Sequence, residues 1–231
     1  MRRLIIVALI TLLATPAFAA DPPKSEEEKT LYAVGLAIAR QIAVFNFSPQ
    51  ELDMVKQGLA DATEGKKPVV ELEVYNKKIQ ELAKARLSAK VAAAGKIVLE
   101  QSAKEKGAVK TDSGLIYIPL GEGSGASPAA SDTVKVNYRG TLADGTEFDS
   151  SYKRGQPAEV PLNAVIKCWT EGVQKMKVGG KAKLVCPSAI AYGENGAGPV
   201  IPPNATLVFE VELLDIVKTP EASPASTAPA K

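Results

Sequence analysis

The stretch "VVELEVYNKKIQELAKARLSAKVAAAGKIVLEQSAKEKG", residues 69–107, holds no proline and, before its final residue, a single glycine, Gly95. As one helix it would run roughly 55 Å at 1.5 Å per residue, longer than a small domain is wide. A rod of that length cannot be enclosed by one core, so it divides the chain into two halves. Leu72, Tyr75, Ile79 and Leu82 make an apolar stripe along its first half. Beyond Ala83 the residues are mostly alanine and lysine, with Leu87, Val91, Ile97, Val98 and Leu99 as the larger apolar side chains. The first half is therefore expected to pack, and the second to stand in solvent as a spacer.

The residues before the rod also read as helix. Ser25 followed by Glu28 forms a capping box, and Glu26 and Glu27 favour the same helix start. Leu31, Val34, Gly35, Ile38 and Ile42 then recur at helical spacing. A second start has Ser48 as N-cap and Pro49 at the first position, with Leu52, Val55 and Leu59 on one face. Gly65–Pro68 ends it. Two short helices and half of a long one make a thin core for a monomer, so self-association through this half is expected. A small helical bundle folded back on the rest of the chain is the alternative.

At Lys110 the pattern changes. "SGLIYIPL", "DTVKVNYRGTL", "KAKLVC" and "ATLVFEVELLDI" are rich in β-branched and aromatic residues with period-two alternation. "GEGSGASPAAS" and "ADGTEF" supply turns between them. "TEGVQKM" reads as one short helix, with Thr170 as its N-cap. The expected class is α+β: an all-helical domain with a long connecting helix over 20–107, then an antiparallel sheet with one short helix over 108–218. The Pro/Ala/Ser-rich residues 219–231 read as a disordered tail.

The first residues bear on compartment. "MRRLIIVALITLLATPAFA" combines two arginines, an apolar run from Leu4 to Ala14 and a small-x-small site at Ala17-Phe18-Ala19. Residues 1–19 thus read as a secretory signal peptide rather than a membrane span, which places the mature chain in the periplasm. Removing Arg2 and Arg3 takes the formal charge from +2 to 0, which gives no reason to propose nucleic acid as a partner. Cys168 and Cys186 are the two cysteines. In an oxidising compartment they read as a structural disulfide, worth roughly 3 kcal/mol in the chain-entropy model; the alternative is two small buried thiols. The chain contains no histidine. That excludes Ser-His-Asp and Cys-His catalysis and removes the commonest zinc ligand. No metal or cofactor is expected, and the reaction sought should need little acid–base chemistry.

The sheet region carries Tyr117, Tyr138, Phe148, Tyr152, Trp169, Tyr192 and Phe209. Most strand aromatics are core, but Phe148 precedes Asp149-Ser150-Ser151, Trp169 starts a helix, and Tyr192 opens the loop "AYGENGAGPVIPPNAT". An irregular loop of that length is usually functional or disordered, and its apolar Val200 and Ile201 need somewhere to go. Together, "VNYRGTLADGTEFDSSYKRGQP", "VIKCWTEGVQKMKVGGKAKLVCP" and "AYGENGAGPVIPPNATLVFEVELLDI" resemble the FKBP-type peptidyl-prolyl cis-trans isomerases over about residues 111–217. The order of signal peptide, helical half, long helix and isomerase domain resembles the Mip/FkpA group of Gram-negative bacteria.

The resemblance implies a pocket floored by Trp169 and walled by Tyr138, Phe148, Val165, Ile166 and Phe209. It implies Asp149 and the Tyr192 hydroxyl as polar contacts, and the Ile166 N–H as the holder of a peptide carbonyl. Val200 and Ile201 would be the loop wall. Asp149 could instead simply cap its own turn. Ala158 stands where the family often has an aromatic wall, and Ala197 where well-known eukaryotic members have a flap histidine. The implied substrates are proline-containing unfolded or partly folded polypeptides, with macrolide inhibitors as a further ligand class. The implied assembly is a homodimer through the helical half, with outer-membrane or surface association left open. Isomerisation also fits the missing histidine. The barrier of about 18–20 kcal/mol is amide resonance, so what is needed is a water-poor groove rather than a proton carrier. The other function class is a holdase chaperone, in which two apolar grooves on long helices hold a client by avidity.

Overall fold

The computed structural model describes residues 21–217. The signal peptide over 1–19 and the tail over 219–231 lie outside the described residues. Helix α1 spans Glu26–Gln41 behind a complete capping box between Ser25 and Glu28. Helix α2 spans Pro49–Thr63, with the second capping box between Ser48 and Glu51. Both helix starts fall where the sequence marks them, because each N-cap hydroxyl and each N3 carboxylate satisfies an otherwise orphan N–H.

The rod is one helix, α3, Leu72–Ser102, roughly 46 Å at 1.5 Å per residue. Its second half does not stand in solvent as expected. Leu72, Tyr75, Ile79 and Leu82 remain 40–65 % exposed. The alanine-rich half instead lies on the sheet: Val98 and Leu99 pack with Ile116, Ile118 and Val185, and Val91 packs on the main core. Gly95 and Ser102 are the buried positions of the helix. Small side chains there allow close approach to a sheet face, which the alanine-rich composition concealed. The packing unit that contains the sheet accordingly begins at Val44 and includes α2 and α3, while α1 belongs to a separate unit ending at Ala43.

The sheet is antiparallel, with strand order β1-β2-β6-β7-β3-β4, and β5 pairs with the other end of β3. Its strands are β1 Val109–Lys110, β2 Ile116–Gly121, β3 Thr133–Leu142, β4 Glu147–Ser150, β5 Ala158–Pro161, β6 Lys181–Cys186 and β7 Leu207–Val217. The long β3 and β7 pair from Thr133–Val217 to Leu142–Leu207. Their alternation buries Val134, Val136 and Tyr138 from β3, and Leu207, Phe209, Val211 and Leu213 from β7. Helix α4, Lys167–Val173, covers this face. Thr170 is not its N-cap. Ile166 holds that place, and the Thr170 hydroxyl donates to the Leu162 carbonyl at 2.6 Å, tying the helix to the turn before it.

Cys168 and Cys186 form a disulfide, with Cα atoms 5.7 Å apart and both residues fully buried. It joins the start of α4 to the end of β6. Among the described residues no helix is long and apolar enough to cross a membrane.

Candidate active site

A concavity of about 420 Å³ opens where α4 crosses β3 and β7. Four rings build it in an edge-to-face chain. Tyr138 meets Trp169 at 5.1 Å, Trp169 meets Phe209 at 5.4 Å, and Phe209 meets Phe148 at 5.6 Å, each pair at 89°. That is the arrangement favoured by aromatic quadrupoles. The local fold brings the rings together. Tyr138 and Phe209 point inward from β3 and β7, Phe148 comes from β4, and Trp169 projects from the first turn of α4. Gly140 makes room for them: a Cβ there would lie 2.7 Å from Phe148 and 2.9 Å from Phe209.

Val160, Ala164, Val165, Ile166 and Tyr192 also line the concavity. Val160 and Ala164 were not among the residues picked out from the sequence. Val160 was findable, since it shares the alternation of "AEVP" with Ala158, but four residues read too weakly as a strand. Ala158 and Val160 lie beside Val136 and Val134 on the neighbouring strand and both pack on the core, and Val160 also bounds the cavity.

Asp149 is the one carboxylate on the cavity wall. It accepts hydrogen bonds from the Tyr138 hydroxyl and from the Arg154 guanidinium. Arg154 also donates to the Tyr138 oxygen at 2.8 Å and lies over that ring at 5.3 Å. Burial alone would raise the Asp149 pKa, but the bonds from Tyr138 and Arg154 outweigh it and hold the carboxyl below the usual range. Burial, and then the bond to Asp149, push the Tyr138 hydroxyl up. Asp149 also accepts its neighbour Ser150 N–H at 2.8 Å. Ser151, fully buried, secures the turn: its Oγ accepts Tyr138 N–H at 2.8 Å, and its own N–H donates to Tyr138 O at 2.9 Å. Arg154 was missed because it sits in an irregular turn, where spacing from Asp149 carries no periodic signal.

The Ile166 N–H makes no hydrogen bond within the chain among the described residues. It therefore has a free donor at the cavity edge. Val200 and Ile201 do not line the cavity. Ile201 is 6 % exposed within the core and pairs back to Ala197, while Val200 is 54 % exposed. A tight 197–201 hairpin turns alternate side chains in opposite directions, which takes Ile201 inward and Val200 out.

The N-terminal region 27–118 matches the family model for the domain amino-terminal to FKBP-type peptidyl-prolyl isomerases. Residues 125–214 match that for the FKBP-type peptidyl-prolyl cis-trans isomerase. The chain belongs to the FKBP-type peptidyl-prolyl cis-trans isomerases, and it is an enzyme of that activity. Within the family it is similar to the Mip/FkpA-like group. It is 45 % identical to the isomerase FkpA of Aeromonas hydrophila, over 86 % of this chain and 81 % of that one. It is 40 % identical to the isomerase Mip of Coxiella burnetii, over 94 % of this chain and all of that one. The crystal structure of FkpA from Escherichia coli superposes with a TM-score of 0.61 at 39 % identity, covering 84 % of this chain and 98 % of that one.

Proposed function

We propose that the cavity between α4, β3 and β7 is where the Xaa-Pro bond turns. The observation that carries this is the chain of four rings flooring an apolar concavity with one carboxylate and one free N–H at its edge. The proline ring sits over Trp169, between Tyr138, Phe148 and Phe209 and the aliphatic side formed by Val165 and Ile166. The Ile166 N–H holds a peptide carbonyl. Water hydrogen-bonded to the carbonyl oxygen of the turning amide strengthens its resonance, so seating that oxygen in a dry groove favours the twisted state. Asp149, kept ionised by Tyr138 and Arg154, and the Tyr192 hydroxyl orient the peptide without exchanging protons. Macrolide inhibitors would compete for the same groove.

The test is kcat/KM for cis-to-trans isomerisation of Xaa-Pro tetrapeptides by wild type beside Asp149→Ala. A fall of about tenfold or more is expected, since one oriented polar contact at a transition state is worth that much. Equal rates in two folded proteins would remove Asp149 from the mechanism.

The enzyme acts, in this reading, on secreted proteins in the periplasm. The sequence of residues 1–19 and the buried disulfide support that compartment. The helical half is the dimerisation domain, supported by apolar side chains that α1, α2 and the first half of α3 leave exposed. The same exposure favours a second reading, a holdase chaperone with isomerisation secondary. If the helices do that work, Trp169→Ala will stop isomerisation while suppression of client aggregation persists.

A further inference from the structure

No residue of α3 reaches the cavity, yet one face of the helix holds the loop that does. The loop runs from Ala191 to Thr206, and Tyr192 enters the cavity at its start. At its other end Asn204 adopts a left-handed backbone, φ 61°, uncommon for a residue with a side chain. Its N–H donates to the Gly193 carbonyl at 2.9 Å, which closes the loop directly behind Tyr192. The Asn204 side-chain amide donates to Ser88 Oγ on α3 at 2.7 Å. Thr206, 4 % exposed, lies against Gly95 of the same helix so closely that a Cβ on Gly95 would stand 2.8 Å from the Thr206 Cβ. Val91, between them, packs on the core. Positions 88, 91 and 95 fall on one helix face. Two residues before Ser88, Arg86 binds the Glu51 carboxylate at the start of α2 and donates to the Phe45 carbonyl at 2.7 Å.

We infer that Ser88 and Gly95 are positioning residues of the isomerase. Through Asn204 and Thr206 they fix the far end of the loop, and through the Asn204–Gly193 bond they fix where Tyr192 stands. The long helix is thus a support of the active site as well as a connector. The inference rests on the proposed role of Tyr192 in the cavity.

The experiment uses the full mature chain with Ser88→Ala, Ser88→Thr, Gly95→Ala and Tyr192→Phe. Amide exchange is followed over residues 191–206 and over β3 and β7, and kcat and KM are separated with Xaa-Pro tetrapeptides. Loss of one such hydrogen bond should raise exchange in 191–206 by about two- to tenfold, leaving β3 and β7 unchanged. KM should rise by a similar factor with kcat nearly constant. Ser88→Thr, which keeps the hydroxyl, should restore both, and Gly95→Ala, which forces helix and loop apart, should exceed Ser88→Ala. Unchanged exchange in both α3 variants overturns the inference. Raised exchange with unchanged KM overturns the positioning role. In either case, a loss of kcat/KM in Tyr192→Phe would leave the cavity reading standing.

Discussion

The sheet region and the helical half both carry apolar residues at regular spacing, and only one of them buries what it spaces. On β3 and β7 every second side chain disappears into a core shared with α4. On α1 and α2 no residue is buried, and Leu31, Val34, Leu52 and Leu59 remain at the surface, as does the first stripe of α3. A period-two pattern on a sheet finds its partner within the same domain, since a single helix can cover the face. A helical stripe needs another apolar surface alongside it. The sheet region thus closes its core among the described residues, while the helices keep apolar side chains exposed.

The contrast breaks most visibly at Trp169. Trp169→Ala should cost roughly 3–5 kcal/mol in urea unfolding of the sheet region, the usual range for a buried aromatic truncated to alanine. Losing the floor should also lower kcat/KM by roughly two orders of magnitude. A variant of undiminished activity would mean that the rings are core and nothing more.

The helices should answer differently. Replacing Ile79 and Leu82 together with glutamate should halve the mass seen by light scattering. Activity per chain should stay within about twofold, since distant sites act independently. A mass already equal to one chain in the wild type would remove the dimer and leave the stripe to clients.

The smallest expected effect is a pH dependence. The Arg86 hydrogen bond, followed by bonds from Ser48, holds the Glu51 carboxyl down at about 2, against 4.5 for the free group. A carboxyl lowered on folding contributes stability above its unfolded pKa and loses it as pH falls through the folded one. The contact between α2 and α3 should therefore weaken from about pH 4.5 down to about pH 2, and Glu51→Gln should flatten that slope in urea midpoints. Isomerisation should show no matching change between about pH 5 and 9. The chain has no histidine, and the Asp149–Tyr138 pair is driven out of that window, the carboxyl held low and the hydroxyl held high.

The local grammar of the chain was largely legible. Both capping boxes, the Pro49 start, the β3 and β7 alternation and the class of fold follow from short-range rules, because caps and pleats are satisfied by residues a few positions away. The rings of the cavity were legible as well, through motifs that fix a family. Ala164 and Arg154 were not, since a turn of helix and an irregular turn carry no period, and the alternation that holds Val160 is only four residues long. Ile201 was misplaced because a hairpin of five residues decides side by side which neighbour goes in and which goes out.

The sequence by itself determined where helix gives way to strand and which aromatic side chains were available to a site, since propensity, capping and periodicity act along the chain. Tertiary structure decided which half of α3 would be covered. Bulk made the first half look like the packing half. The alanine-rich half docks because Gly95 and its small neighbours let the helix axis come within reach of Thr206 and the sheet. Closeness of two backbones is a property of both surfaces at once, and no single stretch of sequence contains it.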